Sequence, residues 1–358
     1  MAKKAIIAMS GGVDSSVSAL LMKQRGFECI GATMKLYHNE DIGEKKSNTC
    51  CSLDDVADAR SVAHRLDMPY YVFNFTDRFH DEVIDRFIRA YECGRTPNPC
   101  IDCNRYMKFD KMFLRMQEMG ADYIVTGHYV RTAYENGRYL LKKAVDDTKD
   151  QSYVLYMLTQ EHLAHAIFPL GELEKTEVRR IAEENGFVNA KKHDSQDICF
   201  VPDGCYAEFI ERQTGRTYPE GDFVTLDGKI LGKHKGIINY TIGQRKGLGI
   251  SADRPLYVCD IDTKNNIVTL GDNSDLFRDE LIADNVNLIS VDRIDAPMRV
   301  KAKIRYNQKE QPAVVWQEEN GDLHIKFDEP QRAITKGQAA VLYDGENVVG
   351  GGTIKNIL

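Results

Sequence analysis

The chain has 358 residues, a formal net charge of −7 from 47 Lys+Arg against 54 Asp+Glu, and 42% hydrophobic residues. At about 150 residues per domain this makes two or three domains, large enough to bury a core without disulfide or metal staples. No apolar run approaches the roughly 18 residues of a membrane-spanning helix, so no membrane partner is expected. The apolar stretch Ala5–Met9 is too short for a secretory signal and lacks a cleavage site, so a cytoplasmic protein is expected. Nine cysteines, an odd number in a reducing compartment, exclude a disulfide framework and leave catalysis, metal binding or plain burial. The acidic total argues against general nucleic-acid binding but not against local basic patches.

Residues 4–9 predict a buried strand that breaks at Gly11-Gly12. A helix follows, with Val13, Val17, Leu20, Leu21 and Gln24 on one face and Gly26 as its stop. Cys29 to Leu36 predicts a second strand, and 38–49 a polar loop. Ser52-Leu53-Asp54-Asp55 has the capping-box pattern, opening an amphipathic helix through Val56, Ala59, Ala63 and Leu66. Then come a strand at Tyr70–Phe75, a helix at 79–92, a break at Thr96-Pro97-Asn98-Pro99, a helix at 104–119 and a strand at Asp122–Tyr129. This alternation implies a parallel sheet covered on both faces. From residue 217 the pattern changes to short strands with glycine turns at Asp227-Gly228, Leu231-Gly232 and Gly247-Leu248-Gly249. It stays β-like from 281 onward, with turns at Asn320-Gly321 and Asp344-Gly345. Domain boundaries are placed near 205 and 275.

The segment Ser10-Gly11-Gly12-Val13-Asp14-Ser15-Ser16 joins the first strand to the first helix. Amides at a helix start lack intrahelical partners and favour an anion, and two glycines let a phosphate approach the backbone. The hydroxyls of Ser10, Ser15 and Ser16 are further donors. No Gly-Lys-Ser/Thr follows, so this is not the common P-loop. A tight turn capped by serine and aspartate is the plainer explanation of glycines and serines alone. The whole string resembles the pyrophosphatase loop of the adenylating ATP-pyrophosphatase superfamily. That resemblance implies ATP, split to AMP and pyrophosphate with Mg²⁺, and an adenylated substrate oxygen as leaving group.

Among the cysteines, Cys103 is placed at a helix start, with Arg105 and Lys108 close by in sequence; both features favour a thiolate. Cys199 lies in Asp194-Ser195-Gln196-Asp197-Ile198-Cys199-Phe200, so a nucleophile and a resolver in two loops is one reading. A zinc site from Cys50-Cys51 and Cys100/Cys103, or a thioredoxin-like redox pair, are the alternatives. Cys29, Cys93, Cys205 and Cys259 have no motif around them and read as ordinary buried cysteines.

Seven strings, in order and spanning nearly the whole chain, complete the pattern. They are the Ser10–Ser16 loop; Thr96–Pro99 with Cys103-Asn104 and Lys108-Phe109; Thr126–Tyr129; Lys149–Tyr153; Asp194–Phe200; Gly243–Gly247; and Arg305-Tyr306. Together they resemble the bacterial tRNA-specific 2-thiouridylase family. The resemblance implies an α/β fold: an N-terminal parallel-sheet ATP-pyrophosphatase domain (1–205), a small β-rich central tRNA-binding domain (206–275) and a C-terminal β-barrel-like domain (276–358). It implies that ATP adenylates the C2 oxygen of the wobble uridine of certain tRNAs, and that persulfide sulfur on Cys199, delivered by a relay donor protein, replaces it. Cys103 would be the nucleophilic partner, with a Cys103–Cys199 disulfide forming in turnover. Ala8, Met9, Ser10, Gly11, Gly12, Val13, Asp14 and Ser15 would bind ATP, with Met34 and Gly127 near the adenosine. Asn98, Pro99 and Cys100 would face the target base. His128, Lys149, Asp150, Gln151, Arg305, Tyr306 and Gln338 would contact the tRNA. The family carries aspartate where this chain has Cys100. That departure raises an alternative in which Cys100, Cys103 and Cys199, with Cys50 or Cys51, hold an iron–sulfur cluster that delivers sulfide.

Two basic tracts fit a tRNA partner. Arg299, Lys301, Lys303 and Arg305 alternate with Val300, Ala302, Ile304 and Tyr306, which strand periodicity places on opposite faces. Lys229, Lys233, His234, Lys235, Arg245 and Lys246 form the second. A solvated strand face is the plain alternative. The rival functions are an amide-forming ATP-pyrophosphatase, which needs no thiol pair, and a thiol-rich RNA-binding or metal-storage protein.

Overall fold

A computed structural model describes residues 2–38, 53–192 and 198–358. The chain divides into two compact units. One comprises Met1–Val83, Cys100–Gly204 and Gly345–Val348; the other comprises Ile84–Pro99, Cys205–Asp344 and Val349–Leu358.

The first unit holds strands β1 (Lys4–Ala8), β2 (Glu28–Lys35), β3 (Tyr70–Asn74), β4 (Tyr123–Val125), β5 (Val130–Glu135), β6 (Arg138–Lys143) and β7 (Ala166–Ile167). Five of them form a parallel sheet in the order β3-β2-β1-β4-β7. Both faces are covered, as the strand–helix alternation predicts. Ala5, Ile7 and Met9 pack with Val17, Ala59, Val62 and Val178 on one side. Ile6, Ile30 and Ile124 pack with Met112, Phe113 and Met116 on the other. Alternate residues of β1 thus enter opposite cores, which is why its sequence is a continuous apolar run.

Helix α1 (Val13–Gln24) differs from its predicted single apolar face: Ser15, Ser16, Ser18, Ala19 and Met22 are buried too, and Gln24 is exposed. Its small residues let it sit close to β1, β2, helix α2 (Leu53–Arg65) and the helix Lys175–Glu184. Ser16 and Ser18 satisfy their hydroxyls on the carbonyls of Gly12 and Asp14, at 3.1 and 2.8 Å. Gly26 does end the helix. At φ +81° its amide reaches Lys23 O at 3.0 Å and the Phe27 amide reaches Met22 O at 3.2 Å, a Schellman closure. The capping box predicted at Ser52 and most of the 38–49 loop lie outside the described residues.

Two other expectations are corrected. The predicted strand 122–129 is only Tyr123–Val125. The helix predicted from 104 opens at Pro99, runs α-helical to Asp102, widens to π-helix over Cys103–Lys111 and returns to α over Met112–Glu118. Pro99 is therefore a first-turn proline, which a helix accepts, rather than a break.

The second unit carries β8 (Gly221–Thr225), β9 (Ile230–His234), β10 (Tyr257–Asp262) and β11 (Ile267–Gly271) as a sheet of order β10-β11-β8-β9. Its core is Phe223, Tyr240, Leu248, Val258, Val268 and Leu270. Asp227-Gly228 is a hairpin turn, with Gly228 at φ +85°. Leu231-Gly232 is not a turn; it lies inside β9. Next come β12 (Phe277–Leu288), β13 (Met298–Lys303), β14 (Gln311–Gln317), β15 (Leu323–Arg332), β16 (Ala339–Asp344) and β17 (Asn347–Ile357). They run in the order β12-β15-β14-β13-β16-β17, and pairing of β12 with β17 closes a six-stranded barrel. Among the described residues no helix is long and apolar enough to cross a membrane.

Candidate active site

The loop Ala8–Ser15, Met34 and Gly127 come together at the carboxyl ends of β1, β2 and β4. The chain order reverses between β1 and β4, and ligands of open α/β sheets bind at such a reversal. Met9 is fixed on β2, donating to Ala32 O at 2.8 Å and accepting from Thr33 Oγ1 at 2.6 Å. Gly11 has φ +76°, and a Cβ there would lie 2.4 Å from Asp55 O, so only glycine fits. The N-cap of α1 is Gly12, and no side chain caps it. The first-turn amides are therefore left to an anion.

The serine hydroxyls do less than the sequence suggests. Ser15 Oγ accepts from the Ser10 amide at 3.2 Å and donates to Gly12 O at 3.0 Å. Ser16 Oγ donates to the same carbonyl. Both hydroxyls shape the loop, which leaves its backbone amides and the exposed Ser10 to face an anion.

Three residues that the sequence reading missed hold this loop. Asn189, buried, donates through Nδ2 to Gly11 O at 2.8 Å and Ser16 Oγ at 2.9 Å. Lys175, 7% exposed, donates to both oxygens of Asp14 at 2.7 and 2.8 Å. Tyr129 OH donates to Asp14 Oδ1 at 2.7 Å, and the Lys175 ammonium stands 5.6 Å from the Tyr129 ring centre. The resemblance of the loop implies Mg²⁺ with ATP, but Asp14 is the loop's one carboxylate and both its oxygens are engaged. The loop as folded offers a metal no carboxylate, and no step is assigned to one.

Gly127 closes the loop from the β4 side. A Cβ on it would meet Asp14 C and Ser15 N at 2.9 Å. His128, expected as a tRNA contact, is buried three residues past the end of β4. Lys108 Nζ lies 3.3 Å from His128 Nε2 and Thr126 Oγ1 lies 2.7 Å from Nδ1. An ammonium only donates, so Nε2 accepts and the Nδ1–H donates to Thr126. Burial, and then the Lys108 charge, hold the imidazole pKa well below its ordinary value, so it is neutral.

Cys103 begins the π-helical segment, half-buried, and is one turn inside the helix rather than at its start. The first turn belongs to Cys100, which is exposed. Cys199 is half-buried, and its carbonyl accepts from Tyr37 OH at 3.2 Å. Phe200 packs edge-on against Phe79, at 5.7 Å between ring centres, and Phe79 packs on Tyr37. The turn Thr76–Phe79 also packs against Cys103–Lys111, so both thiol-bearing segments rest on one turn. Cys29 and Cys259 have thiols pushed up to about 11 by burial, as inert cysteines should. Cys93 and Cys205 are exposed, not buried as expected. Cys50 and Cys51 lie outside the described residues.

Of the remaining predicted contacts in the first unit, Asp150 and Gln151 bond to nearby backbone. Asp150 accepts from the Ala144 amide at 3.0 Å, and Gln151 Oε1 accepts from the Tyr129 amide at 3.0 Å. Lys149 is half-buried. In the second unit Asn98 is half-buried and Pro99 buried. Gln338 Nε2 donates to Thr96 O at 2.9 Å, bracing the segment before Asn98. Arg305 falls past the end of β13, so strand alternation does not reach it. Its Nη2 donates to Thr335 Oγ1, Ala333 O and Ile242 O at 2.8, 2.9 and 3.3 Å. Arg299 is paired with Asp328 and Lys301 with Glu310. Tyr306 is exposed, with Lys303 5.6 Å from its ring centre. His234, counted in the second basic tract, is buried, and burial lowers its pKa. Lys229, Lys233, Lys235, Arg245 and Lys246 are exposed.

Three domain families match in sequence order: a tRNA methyl transferase HUP domain over residues 3–203, a tRNA methyl transferase PRC-barrel domain over 207–272 and an aminomethyltransferase β-barrel domain over 278–354. With the glycine-started helix at the sheet's reversal point, they define a nucleotide-binding α/β domain that carries two β domains. The tRNA-specific 2-thiouridylase MnmA of Clostridioides difficile (strain 630) is 52% identical over 360 residues, covering 100% of this chain and 99% of that protein. MnmA 1 of Thermoanaerobacter sp. (strain X514) is 54% identical over 355 residues, covering 98% of each, and MnmA of Acetivibrio thermocellus is 52% identical over 356 residues, covering 99% of each. The chain belongs to the tRNA-specific 2-thiouridylase family.

Proposed function

We propose that this protein is a cytoplasmic tRNA-uridine 2-sulfurtransferase that uses ATP to convert wobble uridine to 2-thiouridine. One observation carries the reading. An uncapped helix start fit for a polyphosphate and two thiol-bearing segments braced on one turn occupy a single compact unit of a chain whose relatives named 2-thiouridylase match it end to end. An amide-forming synthetase would need only the first of these.

The chemistry divides accordingly. Uracil O2 is a poor leaving group until ATP adenylates it, after which AMP departs. The loop Ala8–Ser15 takes the phosphates, with Met34 and Gly127 beside the adenosine, and Lys175, Tyr129 and Asn189 keep the loop in shape. The terminal sulfur of a Cys199 persulfide, supplied by a relay donor protein, attacks C2 and expels AMP. Cys103 thiolate then attacks Cys199 Sγ. The bond between Cys199 Sγ and the transferred sulfur breaks, its electrons stay on the sulfur now attached to uracil, and a Cys103–Cys199 disulfide remains for a dithiol to reduce. These steps use two thiols, and none passes through an iron–sulfur cluster. The target base must leave the anticodon stack, and Asn98, Pro99 and Cys100 receive it. Lys149, Tyr306 and the exposed cations of 229–246 contact tRNA phosphates and bases, while Asp150, Gln151, Arg305 and Gln338 hold the segments that present them. The three-part division at 205 and 275 belongs to the same proposal.

The test is thiolation of a wobble-uridine tRNA with ATP and a persulfide donor, without added iron, read by nucleoside mass spectrometry. Equal yields of 2-thiouridine and AMP are expected, and a Cys199→Ala variant should form no 2-thiouridine. Full activity of that variant would overturn the reading.

A further inference from the structure

The loop carries no lysine of its own, and the nearest buried one, Lys175, is matched by Asp14. Lys108 is different. Its one recorded partner among the described residues is the Nε2 of His128, a neutral ring. A neutral imidazole aims an ammonium without cancelling its charge. Lys192, by contrast, sits on Asp55 and Asp58 at 2.6 and 2.8 Å. A half-buried cation held in place, with no carboxylate opposite it among the described residues, is arranged for an anion that arrives from outside.

The surroundings say which anion. His128 follows directly on Gly127, which abuts Asp14 and Ser15 of the phosphate loop. Lys108 also shares the π-helical segment Cys103–Lys111 with the proposed thiol nucleophile. Such widened turns recur at functional sites. The amides at the start of α1 take the pyrophosphate end of the nucleotide. Lys108, on the segment that carries Cys103, belongs to the end where the bond to AMP is made and broken.

Resting on the thiolation reading, we propose that Lys108, aimed by neutral His128, binds the α-phosphoryl group, both when ATP is attacked by uracil O2 and when AMP leaves. Lys108 stabilises the charge that gathers on the α-phosphoryl oxygens. His128 is a positioning residue.

The proposal separates the two halves of the nucleotide, so AMP and inorganic pyrophosphate are the probes. By calorimetry, Lys108→Met should weaken AMP binding by about tenfold or more, as for loss of one charge-assisted hydrogen bond, and leave pyrophosphate binding within about twofold. Lys108→Arg should restore part of the AMP affinity. His128→Gln, which keeps an acceptor toward Lys108, should bind AMP nearly as wild type does, and His128→Leu should not. Unchanged AMP binding, or parallel loss of AMP and pyrophosphate, would overturn the proposal. Wild-type protein that binds neither probe would instead sink the nucleotide reading itself.

Discussion

Gly127→Ala adds one methyl group where the structure leaves no room. Gly127 is not in the left-handed region, so alanine brings no backbone strain and the effect is contact alone. The new Cβ would stand 2.9 Å from Asp14 C and Ser15 N, about 0.5 Å inside the 3.4 Å at which contact becomes ordinary. Both obstacles are backbone atoms of the phosphate loop, so no rotamer change relieves them; the loop itself must move. If a misplacement of 1 Å at reacting groups costs about a hundredfold, half of that costs roughly tenfold, or about 1.4 kcal/mol of transition-state stabilisation. Global stability should drop by about 1–3 kcal/mol, the ordinary range for overpacking. The assay is tRNA-dependent AMP formation over a range of ATP, paired with equilibrium unfolding. Gly120→Ala is the control: Gly120 has φ +60° and nothing within 4 Å of a new Cβ. That variant should lose about 1 kcal/mol of stability to left-handed strain and keep its activity. If Gly127→Ala keeps kcat/KM within twofold of wild type, or if Gly120→Ala loses as much, the packing of Gly127 on the loop is not what positions the phosphates.

Asn189→Ala strands the Gly11 carbonyl and takes one of two partners from Ser16 Oγ; we expect a loss of about 2 kcal/mol in denaturant unfolding and a higher KM for ATP, and an unchanged KM would refute the bracing role. Burial lowers the pKa of His128, His162 and His234, so the folded protein binds fewer protons than the unfolded chain; stability should fall as pH drops below about 6.5, and His128→Gln should make that slope shallower. An unaltered slope in that variant would show that His128 is charged when folded. Arg305→Ala should lower the melting temperature along with tRNA affinity, because its guanidinium joins Ile242, Ala333 and Thr335. The double variant Arg245→Ala/Lys246→Ala should weaken tRNA binding and flatten its salt dependence with no change in melting; a salt slope equal to wild type would remove that tract from the interface.

What the chain discloses follows from where each job is done. The phosphate loop was legible because backbone amides and glycines do the work, and those are contiguous in sequence. The residues that hold it were not. Asn189 reaches Gly11 across 178 positions and Lys175 reaches Asp14 across 161, and no local pattern marks either one. Lys175 opens an amphipathic helix, where a lysine ordinarily reads as surface. Alternation places Arg305 on the basic face of its strand, but Arg305 stands just past the end of β13, where alternation no longer says which way a side chain turns. The same limit applies to charge. A total of −7 says nothing of whether a given lysine has been neutralised, and that is what separates Lys175 from Lys108. Both are cations in the same compact unit. One spends its charge shaping the loop through Asp14; the other keeps it, because the group that holds it is a ring too well buried to take up a proton.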